Sequence, residues 1–257
     1  MSRGSRYHVS MRIVAVPCLK DNYAYLVIEG AHAAVVDPGE APPIEAALAR
    51  EGVSLVSIWA THHHPDHTGG IAALVQAHPG VEVVASAVDA ARFAGVTRTV
   101  ADGDALAFEG HAVAIIENPG HTLGALTFVT DGNAFTGDTL FGAGCGRVFE
   151  GDAAMMHTSL MRLAALPTDT QIWCGHEYTA SNLRFAAAVE PGNPEIAARA
   201  AGLATPTVPS TVATERATNP FLRADHPAVI TAARGQGATA DDPVSVFAAL
   251  RTWKNTF

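Results

Sequence analysis

Cysteine and basic residues are both scarce in this chain. Its 257 residues include three cysteines, Cys18, Cys145 and Cys174, which form no C-x-x-C pair and are odd in number. We therefore expect no disulfide framework, and a reducing cytoplasm as the setting. Lysine and arginine together number 16 against 25 aspartates and glutamates, which gives a net charge of −9. This balance argues against nucleic acid as a partner, because such binding depends on neutralising phosphates.

Long apolar runs are also absent. The sequence has no stretch of about eighteen consecutive apolar residues, so we expect no membrane-spanning segment. The first ten residues, MSRGSRYHVS, are polar and lack an apolar core. We therefore expect no secretory signal but a disordered lead-in, with structure beginning near Met11. No pattern indicates a subunit interface, and we expect a monomer.

The apolar residues that are present occur in short runs separated by turn residues. Hydrophobic residues make up 48% of the chain, enough for a substantial core. Period-2 and short apolar runs predict strands at 12–16, 23–29, 33–36, 55–60, 81–85, 105–108, 111–118, 125–130, 133–136 and 172–174. Helical patterns with Pro, Asp or Gly at their ends predict helices at 43–51, 70–78, 152–166, 178–189, 194–203, 226–233 and 243–254.

The order of these elements predicts the domain organisation. Strands and helices are mixed up to residue 177, and only helices follow, apart from a Thr/Pro-rich connection at 205–218. This order predicts an α/β domain at 11–177 and a helical domain at 178–257. In the helix at 152–166 an apolar stripe predicts a core-facing surface rather than a cofactor site. The stripe consists of Met155, Met156, Leu160, Leu163 and Leu166.

The segment THHHPDH at residues 61–67 is the most informative feature of the sequence. If it is extended, the alternation of a strand places His62 and His64 on one side and His63 on the other. Asp66 and His67 follow a Pro-initiated turn and can reach a second position nearby. A surface histidine tract is the alternative. The segment, however, joins an apolar strand to a helical pattern, and such loops are where sites are built.

Three further residues with metal-binding side chains follow predicted strands. They are His121 in NPGHT, Asp138 in FTGDT and His176 in WCGHE. Each alone is weak evidence, because a single histidine after a strand is more often a satisfied polar residue. Together with the first cluster they make five histidines and two aspartates, a set suited to two metal ions that share one carboxylate. The glycine before each residue suits a tight loop.

These motifs resemble a known family. THHHPDH, PGHT, TGDT and GHE, in this order and spacing, are similar to the metallo-β-lactamase superfamily and, within it, to glyoxalase II, the hydroxyacylglutathione hydrolases. The match extends from CLKDNY at 18–23 through NPFLR at 219–223 to the C-terminus. The resemblance implies an α+β fold, an αβ/βα sandwich with a dinuclear site between its sheets and a C-terminal helical appendage. The implied reaction is hydrolysis of S-2-hydroxyacylglutathione, such as S-D-lactoylglutathione, in the second step of methylglyoxal detoxification.

The resemblance also implies a role for each site residue. Carried over to this sequence, the first metal would be held by His62, His64 and His121, and the second by Asp66, His67 and His176. Asp138 would bridge the two ions, and Asp66 would also orient the attacking hydroxide. The ions would be divalent, with zinc expected and with iron or manganese also suited to these ligands.

Glutathione contacts are implied at Arg147, Tyr178, Arg251 and Lys254. These basic residues could offset the acidic balance of the chain, although a solvated helix face is the alternative for the C-terminal pair. Two departures from the family pattern stand out. Arg147 and Phe149 replace a usual Lys and Tyr, and Ala125 stands where GHT-x-GH has its second histidine. Because Ala125 is not a ligand position, we expect the metals to be retained.

The implied mechanism leaves no role for a cysteine nucleophile. Two cations about 3.5–4 Å apart can share a water and lower its pKa, and the resulting hydroxide would attack the thioester carbonyl. We therefore expect Cys145 and Cys174 to be buried packing residues. The alternatives are a persulfide dioxygenase of the same superfamily, with one iron on two His and one Asp, and a non-catalytic zinc module. Seven filled ligand positions without sulfur favour the hydrolase, because closed structural zinc sites typically present four ligands.

Overall fold

The computed structural model describes residues 11–257, and the prediction for residues 1–10 lies outside the described residues. The first sheet has six strands in the order β1-β2-β3-β4-β5-β6. The first three form an antiparallel meander, and the others continue in parallel from β3. These strands are β1 Arg12–Cys18, β2 Asn22–Glu29, β3 His32–Val36, β4 Ser54–Trp59, β5 Glu82–Ser86 and β6 Arg98–Val100.

The second sheet also has six strands, in the order β14-β13-β10-β9-β8-β7. Its strands are β7 Ala105–Phe108, β8 His111–Glu117, β9 Leu126–Thr130, β10 Asn133–Gly137, β13 Gln171–Cys174 and β14 Ser210–Thr211. Asp131 at φ 43° and Gly132 at φ 74° form the tight turn between β9 and β10. Between β10 and β13 the chain forms a small separate hairpin, β11 Leu140–Phe141 and β12 Gly144–Cys145.

Helices cover the outer surfaces of both sheets and make up the C-terminal part. They are α1 Ala41–Glu51, α2 Pro65–Thr68, α3 Ile71–Ala77, α4 Ala153–Ala164, α5 Thr179–Val189, α6 Pro194–Ala201, α7 Val212–Thr218, α8 Pro227–Arg234 and α9 Pro243–Thr256, with a 3-10 turn at Pro220–Leu222. Within the described residues, no helix combines the length and apolar character needed to cross a membrane. We call residues 178–257 the helical region.

The sheets pack face to face across an apolar layer. Along β2 the side chains alternate, so that Tyr25 lies between the sheets and Leu26 packs against the helices outside the first sheet. Trp59 of β4 stacks on Phe128 of β9 with ring centroids 5.5 Å apart, which joins the two sheets directly. Because the side chains on the outer face of the strand are apolar as well, each sheet must also be covered on its outer side.

Helices provide that outer cover. Ile44 of α1 packs on the first sheet and Met156 of α4 on the second, whereas Phe247 of α9 packs against α4 and the ring of Phe221 in the same apolar cluster as Met156. The architecture is the αβ/βα sandwich with a helical appendage that the resemblance implies. One position of the α4 stripe was predicted wrongly, because Met155 is 43% exposed. At 100° per residue it lies beside the row formed by Met156, Leu160 and Leu163 rather than on it.

The sequence patterns missed several short elements. Helix α7 lies inside the stretch predicted as a Thr/Pro-rich connection, and β14 adds a strand to the region predicted as helices alone. Thr211 caps α7 by accepting a hydrogen bond from the amide of Thr214 at 3.1 Å. Threonine-rich sequence has low intrinsic helix propensity, so this helix depends on burial of Val212 and Glu215 against the rest of the chain.

Candidate metal centre

The seven predicted metal ligands lie together in loops that leave one edge of the sandwich. β10 and β13 are parallel neighbours, so Asp138 and His176, which follow them, emerge at the same edge. His62 and His64 follow β4, and His121 lies between β8 and β9. Asp66 and His67 belong to the short helix α2, which starts at Pro65. The structure therefore gathers side chains that are separated by as many as 114 residues in sequence, from His62 to His176.

Three histidines form the first group. Nε2 of His62 lies 3.0 Å from Nδ1 of His64, and Nε2 of His121 lies 3.1 Å from the same atom. His62 and His121 are buried, and His64 is partly exposed towards a cavity. These nitrogens converge on one point and could hold a metal ion. His63 faces the other way, with Nδ1 3.2 Å from a carboxylate oxygen of Asp89, as the alternation predicts.

Asp66, His67 and His176 form the second group. Oδ2 of Asp66 lies 3.5 Å from Nε2 of His67 and 3.3 Å from Nε2 of His176. The amide of Asn22 donates to the same Asp66 oxygen at 2.9 Å. This hydrogen bond fixes the carboxylate beside the two imidazoles, and the three side chains could hold a metal ion.

Asp138 lies between the two groups. Its Oδ1 is 3.3 Å from Nε2 of His67, and its Oδ2 is 3.3 Å from Nε2 of His176 and 3.5 Å from Nε2 of His121. The side chain therefore reaches ligand atoms of both groups. This is the geometry required of a bridging carboxylate.

The buried polar atoms of the centre fit divalent metal ions. Nε2 of His67 and Oδ1 of Asp138 are buried and have no hydrogen-bond partner. Buried polar atoms are nearly always paired, so unpaired ones that face each other call for an explanation. A cation placed among them satisfies both. Imidazole nitrogens and carboxylate oxygens without sulfur are the donors that zinc, iron and manganese accept.

Carboxylates and a carbonyl orient the histidine rings from behind. Nδ1 of His67 lies 2.9 Å from Oδ2 of Asp37, and Nδ1 of His176 lies 2.9 Å from Oδ1 of Asp21. Nδ1 of His121 donates to the carbonyl oxygen of Arg147 at 2.8 Å. Each contact puts the proton on Nδ1 and leaves Nε2 free to bind metal. The sequence reasoning missed Asp21 and Asp37, although Asp37 follows strand β3 as Asp138 follows β10.

The charges divide the histidines into two classes. Burial lowers the pKa of His62 well below its usual value, and it also lowers the pKa of His64 and His121. Burial acts in the same direction on His176, but the carboxylates of Asp138 and Asp66 outweigh it and raise the pKa to about 10. The histidines of the first group are therefore neutral and ready to bind a cation. In the second group His176 carries a proton, which a bound cation would displace.

Glycine is required where the loops meet. A Cβ on Gly175 would lie 2.5 Å from Oδ1 of Asp138 and 2.7 Å from a ring carbon of His67. Any larger residue before His176 would push these two ligands apart. This close approach accounts for the glycine in the GHE motif.

Comparison with known proteins agrees with this geometry. A family model described as "Metallo-beta-lactamase superfamily" matches residues 20–176, and one described as "Hydroxyacylglutathione hydrolase C-terminus" matches 177–257. A protein of Alkalilimnicola ehrlichii named hydroxyacylglutathione hydrolase is 50% identical over 256 residues, which cover 95% of this chain and 98% of that protein. The chain belongs to the hydroxyacylglutathione hydrolase family.

Solved structures share the family fold. The crystal structure of BLEG-1 B3 metallo-beta-lactamase is 20% identical with a TM-score of 0.64, and the match covers 82% of this chain and 99% of that one. The crystal structure of TTHA1623 in a di-iron-bound form is 27% identical with a TM-score of 0.60, covering 80% of this chain and 98% of that one. The first likeness concerns the fold alone.

The metal centre opens into a cavity of about 440 Å³. Besides ligands, its lining includes the four residues for which the family resemblance implies glutathione contacts, Arg147, Tyr178, Arg251 and Lys254. Tyr178 stacks on His176 with ring centroids 4.7 Å apart. Phe149, at a position where the family usually has Tyr, is 61% exposed and lies 5.3 Å from the His121 ring. The acidic chain thus has a local basic wall next to its metal centre.

The two C-terminal basic residues have different surroundings. Arg251 is buried, and its Nη1 donates to the carbonyl oxygen of Cys145 at 2.8 Å. Lys254 is half-buried, with Nζ 5.3 Å from the centre of the Phe185 ring. Burial and the nearby charge of Arg251 lower the pKa of Lys254. Lys254 therefore has more freedom to meet a ligand, whereas Arg251 is already held by the chain.

All three cysteines are buried, as expected for Cys145 and Cys174. Burial raises the pKa of Cys145, although Arg251 opposes this shift, and burial raises the pKa of Cys174 to about 12. A thiol with a raised pKa carries little thiolate at neutral pH and is a poor nucleophile. Neither cysteine is suited to covalent catalysis.

Proposed function

We propose that this protein hydrolyses S-2-hydroxyacylglutathione, such as S-D-lactoylglutathione, to a 2-hydroxy acid and glutathione. The observation that carries this proposal is Asp138, which joins two groups of metal ligands at the floor of a cavity with a basic wall. The reaction adds water across the thioester, breaks the carbon–sulfur bond and releases glutathione as a thiol. In metabolism this activity is the second step of methylglyoxal detoxification.

The proposal includes two divalent metal ions per chain. His62, His64 and His121 would hold one, and Asp66, His67 and His176 the other, with Asp138 bridging. We expect zinc, with iron or manganese as alternatives, and the di-iron form of TTHA1623 supports the number of ions. When bound, such ions lower the pKa of a shared water and polarise the thioester carbonyl.

The residues of the chain orient the reactants. Asp66, held by the amide of Asn22 at 2.9 Å, has an oxygen free to accept a hydrogen bond from the attacking water. Arg147 and Lys254 offer charge-assisted hydrogen bonds to glutathione carboxylates. The hydroxyl of Tyr178 stays protonated, because burial and the Asp21 carboxylate raise its pKa to about 12. It can therefore donate to the peptide part of the substrate. A thiolate leaves readily, so no general acid is needed.

The setting of the protein is also part of the proposal. Three free cysteines suit the reducing cytoplasm, where thiols persist and glutathione is abundant. We propose that the chain acts there as a monomer.

Metal analysis combined with thioesterase assays tests this function. The protein is expected to contain two ions per chain and to hydrolyse S-D-lactoylglutathione far faster than a thioester that lacks glutathione. A chelator should abolish the activity, and added zinc should restore it. One iron per chain together with oxygen consumption on a persulfide substrate would instead identify a dioxygenase. A protein that binds metal but has no thioesterase activity would instead be a non-catalytic zinc module.

A further inference from the structure

The small hairpin formed by residues 140–145 connects two contributions to the metal centre. Asp138 precedes it by two residues, and Arg147 follows it by two. The carbonyl oxygen of Arg147 accepts the hydrogen bond from Nδ1 of His121 at 2.8 Å. A displacement of the hairpin would therefore move both the carboxylate that lies between the groups and the support of one histidine.

Side chains of the helical region hold the backbone of this hairpin. They come from α5, α7, the residue between α7 and the 3-10 turn, and α9, and all four are buried. The contacts are Asn182 Nδ2 to Gly142 O at 3.0 Å, Ala143 N to Glu215 Oε2 at 2.7 Å, Asn219 Nδ2 to Gly144 O at 2.9 Å and Arg251 Nη1 to Cys145 O at 2.8 Å. Four consecutive residues of the hairpin are thus each fixed by a different segment.

The packing around the hairpin leaves it little freedom. Ala143 has a left-handed backbone, with φ at 54°, and is completely buried. A non-glycine residue keeps such a conformation only where its surroundings impose it. Glu215, which is also fully buried, accepts hydrogen bonds from Arg199 and from Ala143, both at 2.7 Å. Arg199, which also belongs to the helical region, therefore balances the charge of this carboxylate through Oε1, and Oε2 accepts the hydrogen bond from the hairpin.

We propose that Glu215 and Asn219 are positioning residues of the metal centre, through which the helical region holds Asp138 and His121 in place. This inference rests on the proposed function only in that the centre must bind metal. Outer contacts that orient ligands typically change metal affinity by about 10- to 100-fold. Neither Glu215 nor Asn219 lines the cavity, so a change in metal affinity caused by replacing either one cannot come from a lost substrate contact.

A matched pair of substitutions tests the proposal. Glu215→Gln removes the negative charge of the carboxylate that accepts the hydrogen bond from the amide of Ala143. Glu190→Gln removes an equally buried carboxylate of the helical region, whose partners are Arg223 at 2.7 Å and His226 at 3.2 Å. Glu190 follows the end of α5, about 18 Å along that helix from Tyr178. Both variants should lower the melting temperature.

The variants should differ in metal binding, measured at 25 °C by competition with a chromogenic chelator for zinc. Glu215→Gln should weaken zinc binding about tenfold. It should also lower kcat on S-D-lactoylglutathione with little change in KM, whereas Glu190→Gln should match the wild type in both. Asn219→Ser is the second test, because it removes the donor to Gly144 and keeps an oxygen for the amide of Phe221.

The outcomes separate this inference from the function. A wild type that binds no zinc would overturn the proposed function. If the wild type binds zinc and Glu215→Gln and Asn219→Ser bind it equally well, the positioning role is wrong. Equal losses in Glu190→Gln would also overturn it, because they would show a general effect of lowered stability. Should Glu215→Gln fail to fold, the comparison of Asn219→Ser with Glu190→Gln decides.

Discussion

Oδ2 of Asp37 lies 2.9 Å from Nδ1 of His67, and both side chains are almost completely buried. The same carboxylate accepts hydrogen bonds from the amide and the hydroxyl of Thr61. It thus connects the start of the histidine loop to a ligand of the second group. Because it fixes which nitrogen of His67 carries the proton, Asp37 would act on a metal ion held by His67 without touching it.

Replacing Asp37 by Asn should therefore weaken metal binding about 10- to 100-fold. The amide keeps the size of the side chain but loses the charge that holds the proton on His67. Metal retained after dialysis against a chelator measures the effect. Asp89→Asn is the control, since Asp89 is equally buried but pairs with His63, which faces away from the metal centre. Equal retention by both variants would contradict the role of Asp37.

Asp138→Ala should lower metal content and nearly abolish hydrolysis. Its two oxygens lie 3.3–3.5 Å from ligand nitrogens of both groups, so its loss removes a ligand from each. The two cations would also repel each other more strongly, because the negative charge between them is gone. Metal analysis and the thioesterase assay check this. A fully active Asp138→Ala enzyme with two bound ions would exclude a bridging role.

His63→Ala should retain metal and at least about a tenth of the activity, since the ring nitrogens of His63 face Asp89 and Glu150 and not the nitrogens of the other histidines. Its Nδ1 lies 3.2 Å from Asp89, and Nε2 lies 3.7 Å from Glu150. The expected cost is in stability, because the buried Asp89 loses its partner. Thermal unfolding and metal content of the same sample separate the two effects. Loss of metal at unchanged stability would mean that His63 supports the centre directly.

The seven candidate ligands, which the structure brings together, could be picked out from sequence because their motifs are local. His62, Asp138 and His176 each follow an apolar strand, and the carboxyl ends of neighbouring strands meet at one edge. The residues that support the ligands carry no such pattern. Glu215 reaches Ala143 over 72 residues, and Asp21 reaches His176 over 155. Such pairs follow from the packing of the sheets and the helical region, which periodicity does not specify.

The same limit applies to the fold. Strands with period-2 alternation, such as β8, were predicted closely, because one face of each must be buried. The hairpin β11–β12 escaped prediction. Its strands are only two residues long, too short to show an alternation in sequence, and it is held by hydrogen bonds to Asn182, Glu215, Asn219 and Arg251.

The thiols should be unreactive in the folded protein below about pH 9. Burial raises the pKa of Cys18 to about 11 and that of Cys174 to about 12, and it also raises that of Cys145. Iodoacetamide at pH 8 should label the protein only in denaturant. Because the folded pKa values exceed the unfolded ones, the stability that these thiols contribute is present below pH 9 and is lost as pH rises above it.

Cysteine substitutions check the catalytic side of this prediction. Cys145→Ser and Cys174→Ser, singly or together, should leave turnover of the thioester within about tenfold, because water supplies the nucleophile. Mass spectrometry of the enzyme during turnover should find no acylated cysteine. An acyl group trapped on either thiol would indicate covalent catalysis instead.

Lys254 and Arg251 should respond differently to replacement, although both line the cavity. Nζ of Lys254 lies 5.3 Å and 5.7 Å from the centres of the Phe185 and Phe257 rings, and beside these rings the ammonium can pair with a substrate carboxylate. Lys254→Ala should raise KM for S-D-lactoylglutathione with kcat nearly unchanged, because a contact far from the reacting carbonyl acts on ground and transition states alike. A charge-assisted hydrogen bond is worth about 1.5–3 kcal/mol, which corresponds to roughly 10- to 100-fold in kcat/KM. The loss should shrink as salt screens the attraction.

Arg251→Ala should instead affect every substrate, because Arg251 donates to the carbonyl of Cys145 in the hairpin that leads to the metal centre. We expect a lower melting temperature, weaker metal retention and a similar loss on glutathione thioesters and on a neutral thioester. Arg184→Ala is the control for both variants. It removes a neighbouring positive charge of Lys254 from an exposed position that does not line the cavity. If Arg251→Ala loses activity only on glutathione thioesters and keeps its metal, Arg251 binds substrate rather than holding the hairpin. If Arg184→Ala raises KM as much as Lys254→Ala, general charge attraction and not a direct contact explains the role of Lys254.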